Sequence, residues 1–324
     1  MIENKQVLVT GGAGFIGSNL CENLLEHGNK VTCMDNFLTG KKSNIAHLIG
    51  HGNFTLLEGD IRNPHDCNKA TDGIEIVLHQ AALGSVPRSI NDPITTNEIN
   101  INGFLNMLYS SKEHGVKRFV YAASSSTYGD SKELPKKEEV IGMPLSPYAV
   151  TKYVNELYAH VFSNLYGIET IGLRYFNVFG RKQDPNGAYA AAIPKFIKAF
   201  MNYESPKING DGSQTRDFTY IDNVIQANHL AGSTQNKDAL NKVFNIACGD
   251  QSILLDLVEN LRLLLSNFDS KIASVKITHG PERVGDVKHS LASIEKAQSL
   301  LNYQPTHNVS KGLNEAIEWY WNNL

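Results

Sequence analysis

Short apolar runs recur through the first half of the chain, and each ends at a polar or glycine-rich turn. They cover residues 7–10, 31–34, 54–57, 74–79 and 119–123. Runs of this length, rich in branched side chains, are typical of strands buried on both faces. Helical patterns lie between them, and the first carries Leu20, Leu24 and Leu25. Strands that alternate with helices predict an α/β fold with a Rossmann-type, doubly wound parallel sheet.

A glycine cluster with the spacing Gly-x-x-Gly-x-x-Gly follows the first predicted strand. Gly11, Gly14 and Gly17 would let the backbone turn sharply and approach a pyrophosphate, whose charge meets free N–H groups at the helix start. The cluster could be a plain tight turn, but the strand before it and the helix after it favour a dinucleotide site. Asp35 ends the second strand, where a carboxylate binds an adenosine ribose and favours NAD over NADP.

Two later strand ends extend the predicted cofactor site. Asp60 follows the third strand and is placed to meet the adenine. Gln80, Ala81 and Ala82 follow the fourth strand, and the small side chains there would let a cofactor lie against the backbone. Because the ends of parallel strands meet at one edge of a sheet, these residues are expected to line a single crevice.

The candidate chemistry lies in a serine run and in the helix start that follows it. Pro147 suits a first helical turn, so Tyr148 and Lys152 should sit one turn apart on the same face. A neighbouring cation, helped by a positively charged cofactor, lowers the pKa of a phenol and lets it act as a base. Ser124, at the end of the fifth strand, adds the hydroxyl needed to oxidise a secondary alcohol onto a nicotinamide.

Composition narrows the function classes. The chain has 324 residues, which favours one large domain with a smaller one attached, and a formal net charge of −3, which makes nucleic acid an unexpected partner. No segment is apolar for long enough to span a membrane, and the start of the chain lacks the features of a secretory signal. The four scattered cysteines predict reduced thiols in a cytoplasmic protein, without a disulfide framework or a metal site.

Taken together, these motifs resemble the extended short-chain dehydrogenase/reductases, and most closely the NAD-dependent nucleotide-sugar 4-epimerases. The resemblance runs nearly the whole length and includes the segments 174–180, 216–218 and 283–286. It implies that Tyr148 is the base, that Lys152 binds the nicotinamide ribose and lowers the pKa of Tyr148, and that Ser124 hydrogen-bonds the sugar O4. Ser125 and Ser126 are near enough to share that last role. The cofactor residues implied are Gly11, Gly14, Phe15, Ile16, Gly17, Asp35, Asn36, Gly40, Asp60, Ile61, Gln80, Ala81, Ala82, Tyr148, Lys152, Tyr175 and Val178.

The polar stretch 181–187 predicts a domain boundary. Residues 1–180 would form the NAD-binding domain and residues 181–324 a smaller mixed α/β UDP-sugar-binding domain, with some segments able to cross back. The resemblance implies that residues 207–209 approach the uracil and that Arg216 and Arg283 bind the diphosphate. The substrate residues implied are Ser85, Ser124, Asn177, Ala191, Lys207, Ile208, Asn209, Arg216, Arg283, Asp286 and Ser290.

Departures from the family pattern bear on the sugar. Epimerases restricted to UDP-glucose and UDP-galactose generally carry larger residues where this chain has Ser290, Ala191 and Gly84. A larger pocket would admit a 2-acetamido group, so the expected substrate is a UDP-N-acetylhexosamine. If Arg88 faces the pocket, a C6 carboxylate such as that of UDP-N-acetylglucosaminuronic acid (UDP-GlcNAcA) becomes an alternative, and UDP-glucose is a further one. Ser293, where many relatives place Asp, is predicted to cap the helix that begins at Ile294.

Other classes sharing the fold are disfavoured by single positions. A 4,6-dehydratase uses an Asp-Glu pair, and a decarboxylase usually has a Glu, in the region where this chain has Ser125 and Ser126. A non-catalytic NAD-binding regulator would have no need of Ser124, Tyr148 and Lys152 together. Most of the apolar surface of the helices that begin at Pro147 and Asn102 is expected to face the sheet, and the resemblance also implies that these helices pair across a homodimer.

Overall fold

The computed structural model describes residues 1–185, 191–281 and 288–324. Its strands, in chain order, are β1 (Gln6–Thr10), β2 (Lys30–Asp35), β3 (Phe54–Glu58), β4 (Ile76–His79), β5 (Arg118–Ser124), β6 (Glu169–Tyr175), β7 (Val178–Phe179), β8 (Lys207–Asn209), β9 (Thr215–Arg216), β10 (Thr219–Tyr220), β11 (Lys242–Ile246), β12 (Ser252–Ile253) and β13 (Thr278–Gly280). Seven of them form one parallel sheet in the order β11-β6-β5-β4-β1-β2-β3. The predicted doubly wound fold is therefore confirmed.

Helices cover both faces of this sheet. They are α1 (Phe15–Glu26), α2 (Pro64–Thr71), α3 (Val86–Asn91), α4 (Pro93–Asn97), α5 (Phe104–Glu113), α6 (Pro147–Tyr166), α7 (Ala192–Met201), α8 (Ile221–Ser233), α9 (Leu254–Ser266), α10 (Glu295–Leu301) and α11 (Val309–Asn323), with a π-helical segment at Glu98–Gly103. Two apolar clusters, one on each side of the sheet, form the main core. Within the described segments, no helix is both long and apolar enough to cross a bilayer.

The strand order reverses at β1, which pairs with β2 on one side and with β4 on the other. Val7 lies between Val31 and Ile76, and all three strands run parallel. The loops that leave β1 and β4 turn to opposite faces of the sheet, which opens a crevice at their carboxyl ends. That crevice is where the predicted cofactor residues should converge.

Helix α6 begins as the sequence predicts. Ser146 accepts a hydrogen bond from the backbone N–H of Ala149 at 3.1 Å, and Pro147 occupies the first helical turn. Gly167 ends the helix in the left-handed conformation, with φ of 74°. Tyr148 therefore lies in the first turn of a helix whose start is fixed by a side-chain cap.

The second half of the chain contributes one strand to the large sheet as well as forming the smaller layer. Strand β11 pairs with β6, so the segment Lys242–Ile246 crosses back into the part of the molecule built by residues 1–180. The remaining short strands pair as β7 with β10, β8 with β13, and β9 with β12. This arrangement fits the expectation that some segments of 181–324 cross back, while the boundary at residue 180 stays a prediction.

One expectation about local structure is wrong, and another holds for the apolar residues of α5 but not for all of those on α6. Ser293 does not cap α10, whose N-cap residue is Ile294 and makes no side-chain capping bond. The backbone of Ser293 instead donates to the Lys136 carbonyl at 2.9 Å and accepts from Asn245 at 3.0 Å, so its position is fixed by pairing with a distant segment. The α6 surface also differs from the expectation, since Leu157, Val161 and Leu165 are exposed.

Candidate active site

A cavity of about 300 Å³, the glycine cavity, opens at the reversal of strand order. It brings together most of the predicted cofactor residues, namely Gly11, Gly14, Phe15, Ile16, Gly17, Asp35, Asn36, Asp60, Ile61, Gln80, Ala81 and Ala82. These come from the ends of four strands that are far apart in sequence. Their convergence at this point is the arrangement by which open α/β sheets bind nucleotides.

The glycine turn is shaped for close approach of an anion to the backbone. Gly11 has φ of 65°, and a Cβ there would lie 2.8 Å from the backbone of Ala81. A Cβ on Gly17 would lie 2.1 Å from the carbonyl oxygen of Gly11, so neither glycine tolerates a side chain. Helix α1 starts at this turn with no side-chain cap and no acidic residue in its first turn. Its first N–H groups are therefore left to bind phosphate oxygens.

Asp35 is held in place as a ribose acceptor. Its carboxylate accepts hydrogen bonds from the backbone N–H groups of Ala13 at 2.9 Å and Phe37 at 2.8 Å. Burial raises the pKa of Asp35, and these two bonds oppose that effect. A Cβ on Gly40 would lie 2.8 Å from both carboxylate oxygens. The glycine at position 40 is therefore required for the chain to close over Asp35.

Asp60 also lines the wall of the glycine cavity, and its carboxylate is already strongly paired. Its carboxylate accepts from the Arg62 guanidinium at 2.6 Å and from Asn36 Nδ2 at 2.9 Å. These bonds, led by the one from Arg62, lower the pKa of Asp60 to about 2. A fixed carboxylate at this wall suits an amino group donor such as that of adenine, which remains the predicted contact.

A second cavity of about 260 Å³, the tyrosine cavity, adjoins the first. It is lined by Ile16, Gln80, Ala82, Gly84, Ala122, Ala123, Ser124, Tyr148, Lys152, Tyr175 and Val178. Lys152 Nζ donates to the Ala122 carbonyl at 2.8 Å and lies 6.0 Å from the centre of the Tyr148 ring. The predicted Ser124, Tyr148 and Lys152 therefore meet in one space, which shares Ile16, Gln80, Ala82 and Gly84 with the glycine cavity.

Burial dominates the electrostatics of this cavity. It raises the pKa of Tyr148, and a hydrogen bond with Ser124 acts in the opposite direction. Burial also lowers the pKa of Lys152 to about 8, against the opposing charge of Glu156. In the protein alone, the phenol is thus not a base at neutral pH. The lowering that the resemblance implies requires a further positive charge in the cavity.

A buried ion pair fixes α6 one turn below Lys152. Arg174 donates to both carboxylate oxygens of Glu156, at 2.9 and 2.7 Å, and to the Glu138 carbonyl at 3.0 Å. Both charged side chains are almost fully buried. This bidentate pair joins α6 to β6 and holds α6 against the sheet. Arg174, part of the motif 174–180, therefore has a structural role.

A hydrogen-bonded triangle fixes the floor of the tyrosine cavity. The Tyr175 hydroxyl donates to Gln80 Oε1 at 3.2 Å and accepts from Asn228 Nδ2 at 2.9 Å. Gln80 Nε2 in turn donates to Asn228 Oδ1 at 3.2 Å. Asn228 was not predicted from the sequence, since it lies inside α8 without a motif. It sets the orientation of two predicted cofactor residues.

A third cavity of about 500 Å³, the serine cavity, is lined in part by Ser125 and Ser126. Its lining residues are Val86, Pro87, Ile90, Asn91, Ser125, Ser126, Tyr128, Gly129, Lys136, Leu145, Ser146, Ala149, Phe176, Asn177, Arg216 and Ser290. Ser126 Oγ donates to Ser124 Oγ at 2.9 Å, which links this cavity to the tyrosine cavity. The serine cavity therefore offers space for a group larger than the atoms that react.

A fourth cavity of about 350 Å³, the phenylalanine cavity, shares Asn177 and Arg216 with the serine cavity and Val178 with the tyrosine cavity. It is lined by Asn177, Val178, Phe179, Gln183, Ala191, Ala192, Ile193, Phe196, Lys207, Asn209, Gln214, Arg216, Phe218 and Leu254. Aromatic rings, amides and two cations occur together here. Such a lining suits a planar base joined to phosphates.

The predicted substrate residues divide among these cavities. Ser290, Asn177 and Arg216 line the serine cavity, whereas Ala191 lies in the phenylalanine cavity and Gly84 in the tyrosine and glycine cavities. The Ile208 side chain is fully buried in the core, so only its backbone can face a ligand. Arg283 and Asp286 lie outside the described residues.

The loop after β4 uses its polar side chains differently from the sequence-based expectation. Ser85 has φ of 102°, a strained value for a residue with a side chain, and its hydroxyl accepts from the Arg88 backbone N–H at 3.3 Å. Ser89 is fully buried and accepts from the Tyr148 backbone N–H at 3.0 Å. This loop thus helps to position the start of α6, which carries Tyr148. Arg88 is not among the described residues that line the serine cavity.

Two features of the serine cavity were missed from the sequence. Lys136, in a polar stretch rich in charged residues, is only 5% exposed and belongs to the cavity wall. An apolar wall formed by Val86, Pro87, Ile90 and Leu145 belongs to it as well. Neither has a local pattern that could have identified it, because α3 is one short helix and Lys136 lies in a loop.

The fold and the joined cavities define a dinucleotide-dependent enzyme that performs redox chemistry on a hydroxyl group. The model of the NAD dependent epimerase/dehydratase family matches residues 7–247, and the chain belongs to that family. NAD is its cofactor. The open N–H groups at the start of α1 and the fixed carboxylate of Asp35 fit that molecule.

Three solved structures are similar over the whole chain. A UDP-N-acetylglucosamine 4-epimerase from Methanobrevibacter ruminantium, in complex with UDP-N-acetylmuramic acid, has 37% identity and a TM-score of 0.92. The match covers 100% of both chains. A UDP-glucose 4-epimerase from Thermotoga maritima has 33% identity and a TM-score of 0.89, with 98% of this chain and 99% of that one covered. A UDP-glucuronic acid 4-epimerase from Bacillus cereus, with UDP-glucuronic acid and NAD, has 33% identity and a TM-score of 0.89, with coverage of 98% and 100%.

Proposed function

We propose that the protein catalyses the reversible 4-epimerisation of a UDP-N-acetylhexosamine, interconverting UDP-GlcNAc and UDP-GalNAc. The observation that carries this proposal is the meeting of Ser124, Tyr148 and Lys152 in a cavity that adjoins the glycine cavity and is linked through Ser126 to the larger serine cavity. Hydride transfer at a sugar carbon needs a nicotinamide on one side of the reacting atom and a proton acceptor beside its hydroxyl. The joined cavities have space for both.

In the proposed mechanism, the chain's own residues handle the proton and the geometry. Tyr148 takes the proton from the sugar O4, while Ser124, linked to Ser126, hydrogen-bonds the same oxygen. Bound NAD accepts the C4 hydride and returns it to the opposite face of the 4-keto sugar. Lys152 positions the nicotinamide ribose and, as a cation, favours the phenolate. Ser89 and the Glu156–Arg174 pair hold the helix that carries Tyr148 in position.

The nucleotide part of the substrate is proposed to occupy the phenylalanine cavity. Lys207 and Asn209 lie on β8 beside the aromatic lining, and Arg216 stands at the junction with the serine cavity. A guanidinium at that junction suits a diphosphate that connects a base on one side to a sugar on the other. Strong contacts to UDP would hold the substrate while the sugar turns over between the two hydride transfers.

The sugar assignment rests on the size and the lining of the serine cavity. Ser290 belongs to that cavity, so the absence of a larger side chain at this position leaves room where the sugar would lie. The wall of Val86, Pro87, Ile90 and Leu145 offers an apolar surface for an acetamido methyl group. A Cβ on Gly84 would meet no atom within 4 Å, so this position also leaves space open.

The decisive experiment uses purified enzyme without added NAD. UDP-GlcNAc, UDP-glucose and UDP-GlcNAcA are incubated separately, and the configuration at C4 is followed by proton NMR. We expect the kcat/KM for UDP-GlcNAc to be higher than that for UDP-glucose, the other neutral substrate. Conversion of UDP-glucose alone would contradict the pocket argument, and a 4-keto-6-deoxy product would contradict epimerisation. Binding of NAD without any turnover would favour a non-catalytic regulator.

A homodimer is the second part of the proposal. Val150, Leu157, Val161 and Leu165 form an exposed stripe along α6, and Tyr109 on α5 is half exposed. A contiguous apolar surface on two neighbouring helices is typical of a protein interface. A second copy of the chain presenting the same two helices would cover it as a four-helix bundle, as the family resemblance implies.

A further inference from the structure

Asp217 is a buried carboxylate that the proposed mechanism does not use. It follows Arg216 directly after β9, and its side chain is fully buried. The carboxylate accepts hydrogen bonds from the backbone N–H groups of Cys248 at 2.9 Å, Gly249 at 3.1 Å and Ala292 at 3.3 Å. Backbone donors stabilise a carboxylate, whereas burial opposes its charge. A group that is costly to bury therefore lies where donors from two distant segments converge.

Asp217 connects residues that line the two proposed substrate cavities. Arg216 and Asn177 line both the serine and the phenylalanine cavities, and Asn177 Nδ2 donates to the Asp217 backbone carbonyl at 2.8 Å. Ala292, which the carboxylate binds, lies two residues after Ser290, a residue of the serine cavity. The positions of these cavity residues relative to one another therefore depend on Asp217.

The ionised form of Asp217 is the one that suits its three N–H donors. A protonated carboxyl is neutral and carries a donor on one oxygen, so it accepts fewer and weaker bonds. Burial raises the pKa of Asp217 to about 7, a shift that the three N–H bonds oppose and the charge of Asp250 increases. The carboxylate thus changes state near neutral pH, and its hold on Cys248, Gly249 and Ala292 changes with it.

Several titratable groups adjoin this carboxylate in the described part of the chain. Burial raises the pKa of the Cys248 thiol to about 12 and that of the Tyr303 phenol well above its usual value, so both stay neutral near pH 7. The exposed Asp250 acts on Asp217 through its charge. The adjoining segments also carry the basic residues Arg216, Lys136 and His289. Asp217 and Asp250 are thus the two carboxylates to separate by experiment.

We propose that the Asp217 carboxylate positions the wall shared by the serine and phenylalanine cavities, and that UDP-sugar binding requires it to be ionised. This role rests on the proposed 4-epimerase function, and it adds a residue that acts on the substrate through Arg216, Asn177 and Ser290. Asp217 is a positioning residue, so its effect falls on substrate affinity and not on hydride transfer. Because only the ionised fraction binds, the dissociation constant (Kd) should rise about tenfold from pH 8 to pH 6.

The test measures binding of UDP-GlcNAc to the NAD-loaded enzyme by calorimetry between pH 6 and pH 8. All proteins carry Tyr148→Phe, the parent substitution, so that the ligand is not converted. Its diphosphate is esterified at both ends and does not titrate near neutral pH. We expect Asp217→Asn to weaken binding at pH 8 by about ten- to a hundredfold and to abolish the pH dependence, because bonds to a charged acceptor are lost.

Asp250→Asn is the matched control, since it removes an exposed carboxylate of the same neighbourhood. It should bind like the parent at pH 8, while its loss of affinity moves to lower pH because a negative charge beside Asp217 is gone. Protonation of Lys152 or His289 adds positive charge and favours an anionic ligand, so neither produces the expected trend. With Tyr148 restored, Asp217→Asn should raise KM while kcat stays within about threefold and NAD affinity is unchanged.

Three results would overturn the proposal: a parent whose Kd does not change with pH, a pH dependence that persists in Asp217→Asn, or an Asp250→Asn profile identical to that of the parent. If Asp217→Asn does not fold, the parent and Asp250→Asn still decide. Binding with the expected pH dependence but without epimerisation of any UDP-sugar would refute the function proposed above and leave the role of Asp217 standing. Epimerisation with a pH-independent Kd would do the reverse, and an enzyme that binds no UDP-sugar would refute both.

Discussion

Replacing Lys152 by Met should make the protein more stable while it removes activity. Burial lowers the pKa of this lysine from 10.5 to about 8, so its ammonium is destabilised in the folded protein. At 1.36 kcal/mol per pKa unit, the penalty is roughly 3 kcal/mol at neutral pH. The variant also leaves the Ala122 carbonyl without its donor, at a cost of about 1 kcal/mol. The net gain in the free energy of unfolding is therefore about 2 kcal/mol.

The pH dependence gives this prediction a signature. The folded pKa of Lys152 lies below that of the unfolded chain, so the unfolded chain binds more protons between pH 8 and 10.5. The contribution of Lys152 to the free energy of unfolding of the wild type therefore rises with pH across that window. The destabilisation caused by burying its ammonium is fully present below pH 8. Because Met does not titrate, the advantage of Lys152→Met should be largest at pH 7 and should vanish near pH 10. At higher pH, where only the lost hydrogen bond remains, the variant should be less stable than the wild type by about 1 kcal/mol.

The assay is urea unfolding of NAD-free protein at pH 7 and pH 10, followed by fluorescence or circular dichroism. Lys117→Met, a substitution of an exposed lysine, serves as the control and should be neutral at both pH values. Turnover of Lys152→Met should fall strongly, since the residue proposed to position the nicotinamide ribose is lost. A variant less stable than the wild type at pH 7, or a difference independent of pH, would refute the argument that burial dominates at this lysine.

Three further substitutions test separate parts of the proposal. Tyr148→Phe should lower kcat by about 10²–10⁴-fold with UDP binding retained, whereas Tyr153→Phe on the same helix should be nearly silent in the NMR assay. Ser290→Tyr should lower kcat/KM for UDP-GlcNAc by about tenfold or more while sparing UDP-glucose; equal losses would contradict the size argument. Val161→Arg should convert the proposed dimer to monomer in light scattering, and Leu263→Arg on α9, at a residue that is more exposed than Val161, should not.

The cofactor crevice could be predicted because its signals are local. The strands, the glycine spacing and the position of Asp35 are all encoded within stretches of a few residues, and the parallel sheet then brings their ends together. The pairing of Tyr148 and Lys152 follows in the same way from helix geometry. At these positions, local pattern and tertiary arrangement agree.

The substrate side could not be predicted to the same depth, because it depends on how distant segments meet. Whether Arg88 or Lys136 faces the serine cavity is set by the orientation of a six-residue helix and by a loop that pairs with residues near Ala292. Serine is a common N-cap residue, yet the backbone of Ser293 is hydrogen-bonded to Lys136 and Asn245 and its side chain does not cap α10. The outward stripe of α6 has the same periodicity as a face packed on the sheet, so exposure could not be read from it.

The same burial explains why the cofactor must complete the site. Moving the pKa of a phenol from about 10 to about 7 requires roughly 4 kcal/mol. Burial instead raises the pKa of Tyr148, and it lowers the pKa of Lys152 to about 8, which disfavours the ammonium form of that lysine. Protein groups in the tyrosine cavity thus oppose the phenolate on balance. An oxidised nicotinamide carries the missing positive charge, and it loses that charge when it accepts hydride. In the proposed mechanism, the tyrosine is therefore able to accept the O4 proton while the nicotinamide is oxidised. It then holds that proton while the nicotinamide is reduced and returns it to the keto oxygen as the positive charge is restored, which matches the two halves of an epimerisation.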